Sequence, residues 1–193
     1  LFDRAENLLL EIRAQRPGPE INQKVISLLI KLYEKEKEWE QAIEVARQLS
    51  ADELQGLEVE LSHYCCELAE GYISQQRYRH AAAKLNAALN FDKRCVRACL
   101  LLADIAISQE DWKGAIRDLK RIASQDPLFL SETVQRLKHC YSKLNQMAEF
   151  ERLMKQWLNK YPSTSIMLAQ AEMILEQQGA YPAGAFITDQ LKH

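Results

Sequence analysis

The sequence predicts an all-α chain of antiparallel helix pairs, about 11 helices stacked as a right-handed solenoid. Three observations carry that expectation. The 193 residues include only 6 Gly and 5 Pro, about half the usual share, too few breakers for the closely spaced turns of a β-sandwich, barrel or doubly wound sheet. The apolar share is 47%, enough for a sizeable core. An aromatic residue followed three positions later by Ala also opens one amphipathic stretch after another: Phe2/Ala5, Trp39/Ala42, Tyr78/Ala81 and Trp112/Ala115, with Met147/Phe150 as a weaker copy.

These anchors, at 5, 42, 81, 115 and 150, lie 37, 39, 34 and 35 residues apart, and Ala183 follows after 33. Other offsets recur with them. Nine residues before the anchor stands Tyr33, Tyr72 or Tyr141; thirteen before stands Leu29, Leu68, Leu102 or Leu137; twelve after stands Pro17, Pro127 or Pro162. A period near ~34 with this frame is the tetratricopeptide (TPR) signature. A small anchor lets the second helix of a pair approach the first, the aromatic and the Tyr fill the space between neighbours, and Pro ends the second helix because it lacks an N–H.

Taken in order, the frame gives the following elements. Residues 1–19 hold the second helix (3–15) of a truncated repeat, marked by Phe2/Ala5. Repeat 20–54 has helices at 20–36, carrying Leu29 and Tyr33, and 39–50, opened by Trp39. Repeat 55–93 has helices at 57–75 and 78–90, and repeat 94–127 at 95–109 and 112–124. Repeat 128–162 has helices at 129–144 and 147–160, and a truncated last repeat, 163–193, has them at 165–177 and 182–192. Asp111, Asp126 and Ser131 stand where a helix start needs an acceptor. The spacings of 37 and 39 place insertions at 16–20 and 51–56. Phe150 in place of a small anchor and Lys138 in place of a small core residue predict a rotated or splayed first helix in that repeat. The chain begins without Met and ends inside a predicted helix, and so reads as a single-array fragment of a longer protein.

Composition also excludes functions. With 25 basic and 27 acidic residues the net charge is −2, which leaves no basic footprint for nucleic acid. The longest apolar run, Cys95 to Ile107, is broken by Arg97 and Asp104 and is too short to span a bilayer. No P-loop, G-x-G-x-x-G, G-x-S-x-G or H-E-x-x-H occurs, and the four His are scattered over three repeats, so the chain reads as non-enzymatic. Five Cys without a C-x-x-C pair read as free thiols in a reducing compartment, not as metal ligands. Of the adjacent Cys65 and Cys66, one is expected to be packed and one partly exposed. No cofactor is expected within this chain.

Arrays of this kind act through the concave surface lined by the first helix of each pair. The positions skipped by the core pattern make a mixed-charge candidate groove for protein: Lys24, Ser27 and Lys31; His63, Cys66 and Glu70; Arg97, Leu100 and Asp104; Glu132, Gln135 and His139. Reversing the charges at Arg97 and Asp104 should weaken partner capture without changing melting. A Lys/Asn clamp for acidic tails is absent, since Ser27, Cys66, Leu100 and Gln135 occupy its places. An asparagine ladder is absent too, its row being Leu28, Glu67, Leu101 and Arg136.

Particular runs go beyond the generic repeat: Leu1-Phe-Asp-Arg-Ala-Glu6, Glu38-Trp-x-x-Ala-Ile-x-Val-Ala46, His63-Tyr-Cys-Cys-Glu-Leu-Ala69, Ser124-Gln-Asp126 with Ser131-Glu-Thr133, Cys140-Tyr141, and Ile187-Thr188 with Gln190-Leu191. In these the chain resembles, from end to end, the lipopolysaccharide assembly protein B family (LapB, also called YciM) of Gram-negative bacteria. The resemblance implies an N-terminal membrane anchor in the inner membrane, a cytoplasmic TPR array, and a C-terminal rubredoxin-like module holding zinc or iron. It also implies an adaptor that helps the membrane protease FtsH degrade the lipid A deacetylase, alongside other lipopolysaccharide assembly proteins. A homodimer is compatible with it. Neither the anchor nor the C-x-x-C knuckles occur in this sequence. His63, Cys66 and Glu67 are the residues through which it points to function. Two other readings fit the repeat alone: a TPR binding module of another bacterial assembly, and the non-catalytic arm of a transferase.

Overall fold

The computed structural model describes residues 2–161 and 163–191, with residue 51 described by its backbone. Pro162 of the repeat frame and the terminal Leu1 and His193 lie outside the described residues. The chain divides into two compact units, Leu1–Ala98 and Cys99–His193. The first contains α1 (Phe2–Ala14), α2 (Pro19–Glu36), α3 (Trp39–Ala46), α4 (Ala51–Leu54), α5 (Glu58–Ser74) and α6 (Tyr78–Phe91). Helix α7 (Val96–Ser108) begins in the first unit and continues into the second, which adds α8 (Trp112–Gln125), a 3-10 turn at Pro127–Phe129, α9 (Leu130–Lys143), α10 (Met147–Lys160), α11 (Thr164–Gln178) and α12 (Ala180–Gln190). Among the described residues there is no strand. The fold is all-α, of the TPR type. In the first unit α1 packs on α2, α2 on α3, α3 on α5 and α5 on α6; in the second, α8 packs on α9, α9 on α10 and α11, α10 on α11, and α11 on α12.

The turn inside four of the pairs is one structure, whereas between α11 and α12 the chain turns at Gly179 with φ 92°. Lys37, Gln76, Glu110 and Asn145, each five residues before its anchor, adopt φ of 59°, 59°, 59° and 55°. The N–H of the following residue reaches back across the turn: Glu38 N to Tyr33 O at 2.8 Å, Arg77 N to Tyr72 O at 2.8 Å, Asp111 N to Ala106 O at 2.8 Å, and Gln146 N to Tyr141 O at 2.9 Å. The left-handed residue's own N–H bonds the carbonyl three positions back, at 2.8–3.1 Å. This is a Schellman cap, which satisfies the carbonyls left open at a helix C-terminus and reverses the chain within two or three residues. No glycine occupies these four left-handed positions, which costs each turn about 1 kcal/mol. Gln76→Gly should therefore raise stability by about 0.5–1 kcal/mol, read as an upward shift of the thermal melt; an unchanged or lower melt would contradict the assigned turn.

The anchors behave as the packing argument requires where a first helix lies against them. Ala42, Ala81, Ala115 and Phe150 are each 0% exposed and Ala183 is 7%, whereas Ala5 is exposed. Leu29 and Leu137 are also fully buried, and Tyr33 and Tyr141 nearly so. The Tyr33 hydroxyl donates to Glu6 Oε1 at 2.7 Å, tying α1 to α2. Burial first, and the Glu6 carboxylate second, push that phenol up to about 12.

Several sequence expectations need correction. The helix expected over 39–50 ends at Ala46, and a separate turn of helix follows. Ser50 and Glu53 make a capping box there, Glu53 N donating to Ser50 Oγ and Ser50 N to Glu53 Oε2, so Ser50 starts a helix instead of continuing one. Asp111 does cap α8, accepting from Gly114 N at 3.0 Å, and Asp126 accepts from Leu128 N at 3.0 Å. Ser131 caps nothing, because the 3-10 turn leads straight into α9 and Phe129 holds the N-cap position. Cys65 and Cys66 are both buried, at 1% and 0%, since neighbours on α5 face different packed partners. Lys138 pairs with α11 through Glu172 at 3.0 Å and Glu176 at 3.7 Å, which places a charge where the frame has a small residue.

Candidate functional site

In the first unit the predicted positions fall into two groups. Ser27 and Lys31, from α2, line a cleft of about 270 Å³ with Ile30, Glu34, Leu57, Glu60 and Tyr64. Lys24 is exposed one turn earlier. Tyr64 is 1% exposed, and burial, with the adjacent Glu34 carboxylate, pushes its phenol above the ordinary range. Trp39 stacks on Tyr64 with centroids 5.2 Å apart and meets the His63 ring edge-on at 6.0 Å. An apolar wall thus stands beside the carboxylates of Glu34 and Glu60.

The second group gathers around Arg97. Its guanidinium donates to Glu67 Oε1 at 2.7 Å, to Glu70 Oε1 at 2.7 Å and to His63 Nδ1 at 3.0 Å. Accepting at Nδ1 leaves the neutral ring's proton on Nε2, and Nε2 lies 3.8 Å from Glu67 Oε1. His63, Glu70 and Arg97 are therefore brought together, with Glu67 added. Cys66 does not join this exposed face: it is 0% exposed and its sulfur lies 3.8 Å from that of Cys95.

In the second unit Leu100 is half-buried, and Asp104, Glu132, Gln135 and His139 are exposed. Arg136 of α9 donates to both Asp104 oxygens, at 2.9 and 3.3 Å, and to the Glu132 carbonyl at 3.0 Å. His139 meets Trp112 edge-on at 5.6 Å. Gln135 and His139 border an open depression of about 490 Å³ with Lys138, Ser142, Met147 and Glu176.

Arg136, Lys138, Trp39, Trp112, Tyr64 and Glu34 were not among the predicted site residues. A signal for the ion pairs was available in the spacing. Glu67/Arg97, Asp104/Arg136 and Lys138/Glu172 are separated by 30, 32 and 34 residues, close to one repeat, so opposite charges on successive first helices meet. Because Arg97 and Asp104 are both paired within the chain, reversing their charges removes these ion pairs and sets like charges together. Exposed pairs of this kind are worth about 0–1 kcal/mol each, so melting falls with such a variant instead of staying unchanged, and it makes a poor probe of partner binding.

Among the described residues no group of three or more His, Cys, Asp or Glu side chains is arranged to hold a metal ion, and no helix is long and apolar enough to cross a membrane. These faces set aromatic edges beside paired charges.

No family model matches the chain. Among curated proteins it is 32% identical to lipopolysaccharide assembly protein B of Haemophilus influenzae over 190 residues, 98% of this chain and 47% of that protein. It is 26% identical to the protein of the same name from Escherichia coli K12 over 192 residues, 100% of this chain and 49% of that one. The chain thus spans about half the length of the curated relatives it matches, and is similar to that part of them throughout. Among solved structures, PilF of Pseudomonas aeruginosa aligns with a TM-score of 0.48 at 18% identity, covering 88% of this chain and 75% of that one. A crystal structure of MamA aligns with a TM-score of 0.48 at 12% identity, covering 83% and 91%.

Proposed function

We propose that this chain, similar over its whole length to part of lipopolysaccharide assembly protein B, is a non-enzymatic scaffold that holds protein partners on the exposed faces of its first helices. The end-to-end similarity carries the reading, and the aromatic and charged clusters that α5 and α9 form with neighbouring helices support it. The partners are the membrane protease FtsH and the deacetylase that commits cells to lipid A synthesis. By bringing the two together at the cytoplasmic face of the inner membrane, the scaffold promotes proteolysis of the deacetylase and so limits lipopolysaccharide production. The residues that would contact them are Lys24, Ser27, Lys31, His63 and Glu70 with Arg97 in the first unit, and Leu100, Asp104, Glu132, Gln135 and His139 in the second.

The test is deacetylase half-life in cells whose own assembly protein is depleted and replaced by a protein carrying this chain. The intact sequence should restore rapid turnover. Lys31→Glu combined with Gln135→Arg alters two exposed positions outside the ion pairs, so melting should move by less than about 0.5 kcal/mol while capture weakens about tenfold. Unchanged deacetylase half-life with the intact sequence would overturn the proposal.

A further inference from the structure

We propose that Cys95 and Cys66 form an oxidisable dithiol, a modification site for peroxide that closes to a disulfide between α5 and the residue preceding α7. The two sulfurs lie 3.8 Å apart although the residues are 29 apart in sequence. Bond formation brings them to about 2.05 Å. Their settings differ in the way such a pair requires. Cys66 is 0% exposed, whereas Cys95 is partly open to solvent, so an oxidant from solution meets Cys95 first.

Three donor groups surround the Cys95 sulfur. The Cys66 S–H is the strongest influence, joined by the Ser62 hydroxyl and the Ala98 N–H at the start of α7; together they hold the Cys95 thiol below the ordinary thiol range, against burial and the Asp92 carboxylate. Ser62 is 1% exposed and its hydroxyl has no other hydrogen-bond partner among the described residues, so a charged sulfur at Cys95 is the acceptor that would satisfy it. Donation to Cys95, then burial, push the Cys66 thiol up, so it stays protonated until its partner has reacted. The remaining cysteines, Cys65, Cys99 and Cys140, are buried, and burial raises Cys65 to about 11.

The chemistry balances with hydrogen peroxide as the two-electron oxidant. The Cys95 thiolate attacks one peroxide oxygen, the O–O bond breaks, and the departing hydroxide takes a proton from solvent to leave as water, giving a sulfenic acid at Cys95. The Cys66 sulfur then attacks the Cys95 sulfur as its S–H proton passes to the leaving hydroxyl. The S–S bond forms, the S–O bond breaks and a second water departs. The two thiols are oxidised and the peroxide is reduced; a dithiol reductant reverses the bridge by exchange.

Treat the chain with equimolar hydrogen peroxide, block remaining thiols with iodoacetamide and map the peptides. The expected result is a peptide joining Cys66 to Cys95 that reduction separates, with Cys65, Cys99 and Cys140 alkylated. Cys66→Ser should accumulate a dimedone-reactive sulfenic acid at Cys95, and Cys95→Ser should consume peroxide at least about tenfold more slowly. Should a variant fail to fold, alkylation of the unaltered chain at about pH 7 gives the same decision, since Cys95 should label about tenfold faster than the other four cysteines. Absence of the joined peptide, or equal labelling of all five, would overturn the proposal.

Discussion

Replacing Phe150 with Ala should destabilise the chain by about 3–5 kcal/mol, although Ala is what the other well-formed repeats carry at that position. Phe150 is 0% exposed, lies beside the Tyr141 ring at a centroid distance of 5.9 Å, and shares the α10 core face with Met154 and Trp157. Ala would leave a cavity that this already packed surround cannot collapse to fill. Matching the repeat consensus is therefore harmful here. Urea unfolding followed by helicity measures the cost, and a loss below about 1 kcal/mol would show that the surround relaxes.

The converse substitution, Ala115→Phe, should also be damaging, for the opposite reason. Ala115 is 0% exposed in α8, and its neighbours Gly114 and Ile116 are also buried. Inserting a ring where a second helix makes close approach forces the helices apart, at the upper end of the ~1–3 kcal/mol range for overpacking or beyond it. The urea midpoint should fall with helicity otherwise intact before the transition. A midpoint equal to that of the unaltered chain would mean that α8 does not rely on a small residue for its approach. Together the two substitutions separate what the repeat frame demands from what each local surround demands.

The parts of this fold that were legible in the sequence are those written in side-chain type. Small or apolar anchors, Tyr at one offset and Leu at another recur because burial selects them, and they located the helix pairs from Pro19 to Lys160 to within a few residues. The turn between the helices of a pair was not legible. Its left-handed residue is Lys, Gln, Glu or Asn in the four cases, and these share no property that a sequence pattern could register; main-chain hydrogen bonds define the turn. Glu38, Arg77 and Gln146 make no side-chain cap, whereas Asp111 does, so even helix starts varied in chemistry while keeping their geometry.

The candidate face was legible by position more than by state. Counting along α2, α5 and α9 correctly left Lys31, His63 and Gln135 exposed. Counting alone could not show that Arg97 is held by Glu67 and Glu70, or that Cys66 turns inward to Cys95. Those facts depend on side chains about one repeat away, which only the packing of successive helices brings together.

Whether first-helix faces hold the proposed partners is decided by site-specific photo-crosslinking in a Gram-negative cell. A photoreactive residue is placed singly at Lys31 on α2 or Gln135 on α9, and for comparison at Arg79 on α6 or Arg121 on α8, all four positions being exposed. Crosslinked species containing the membrane protease or the deacetylase are expected from Lys31 and Gln135, and none from Arg79 or Arg121. Crosslinks to those partners from the second-helix positions, with none from the first, would contradict the proposed placement.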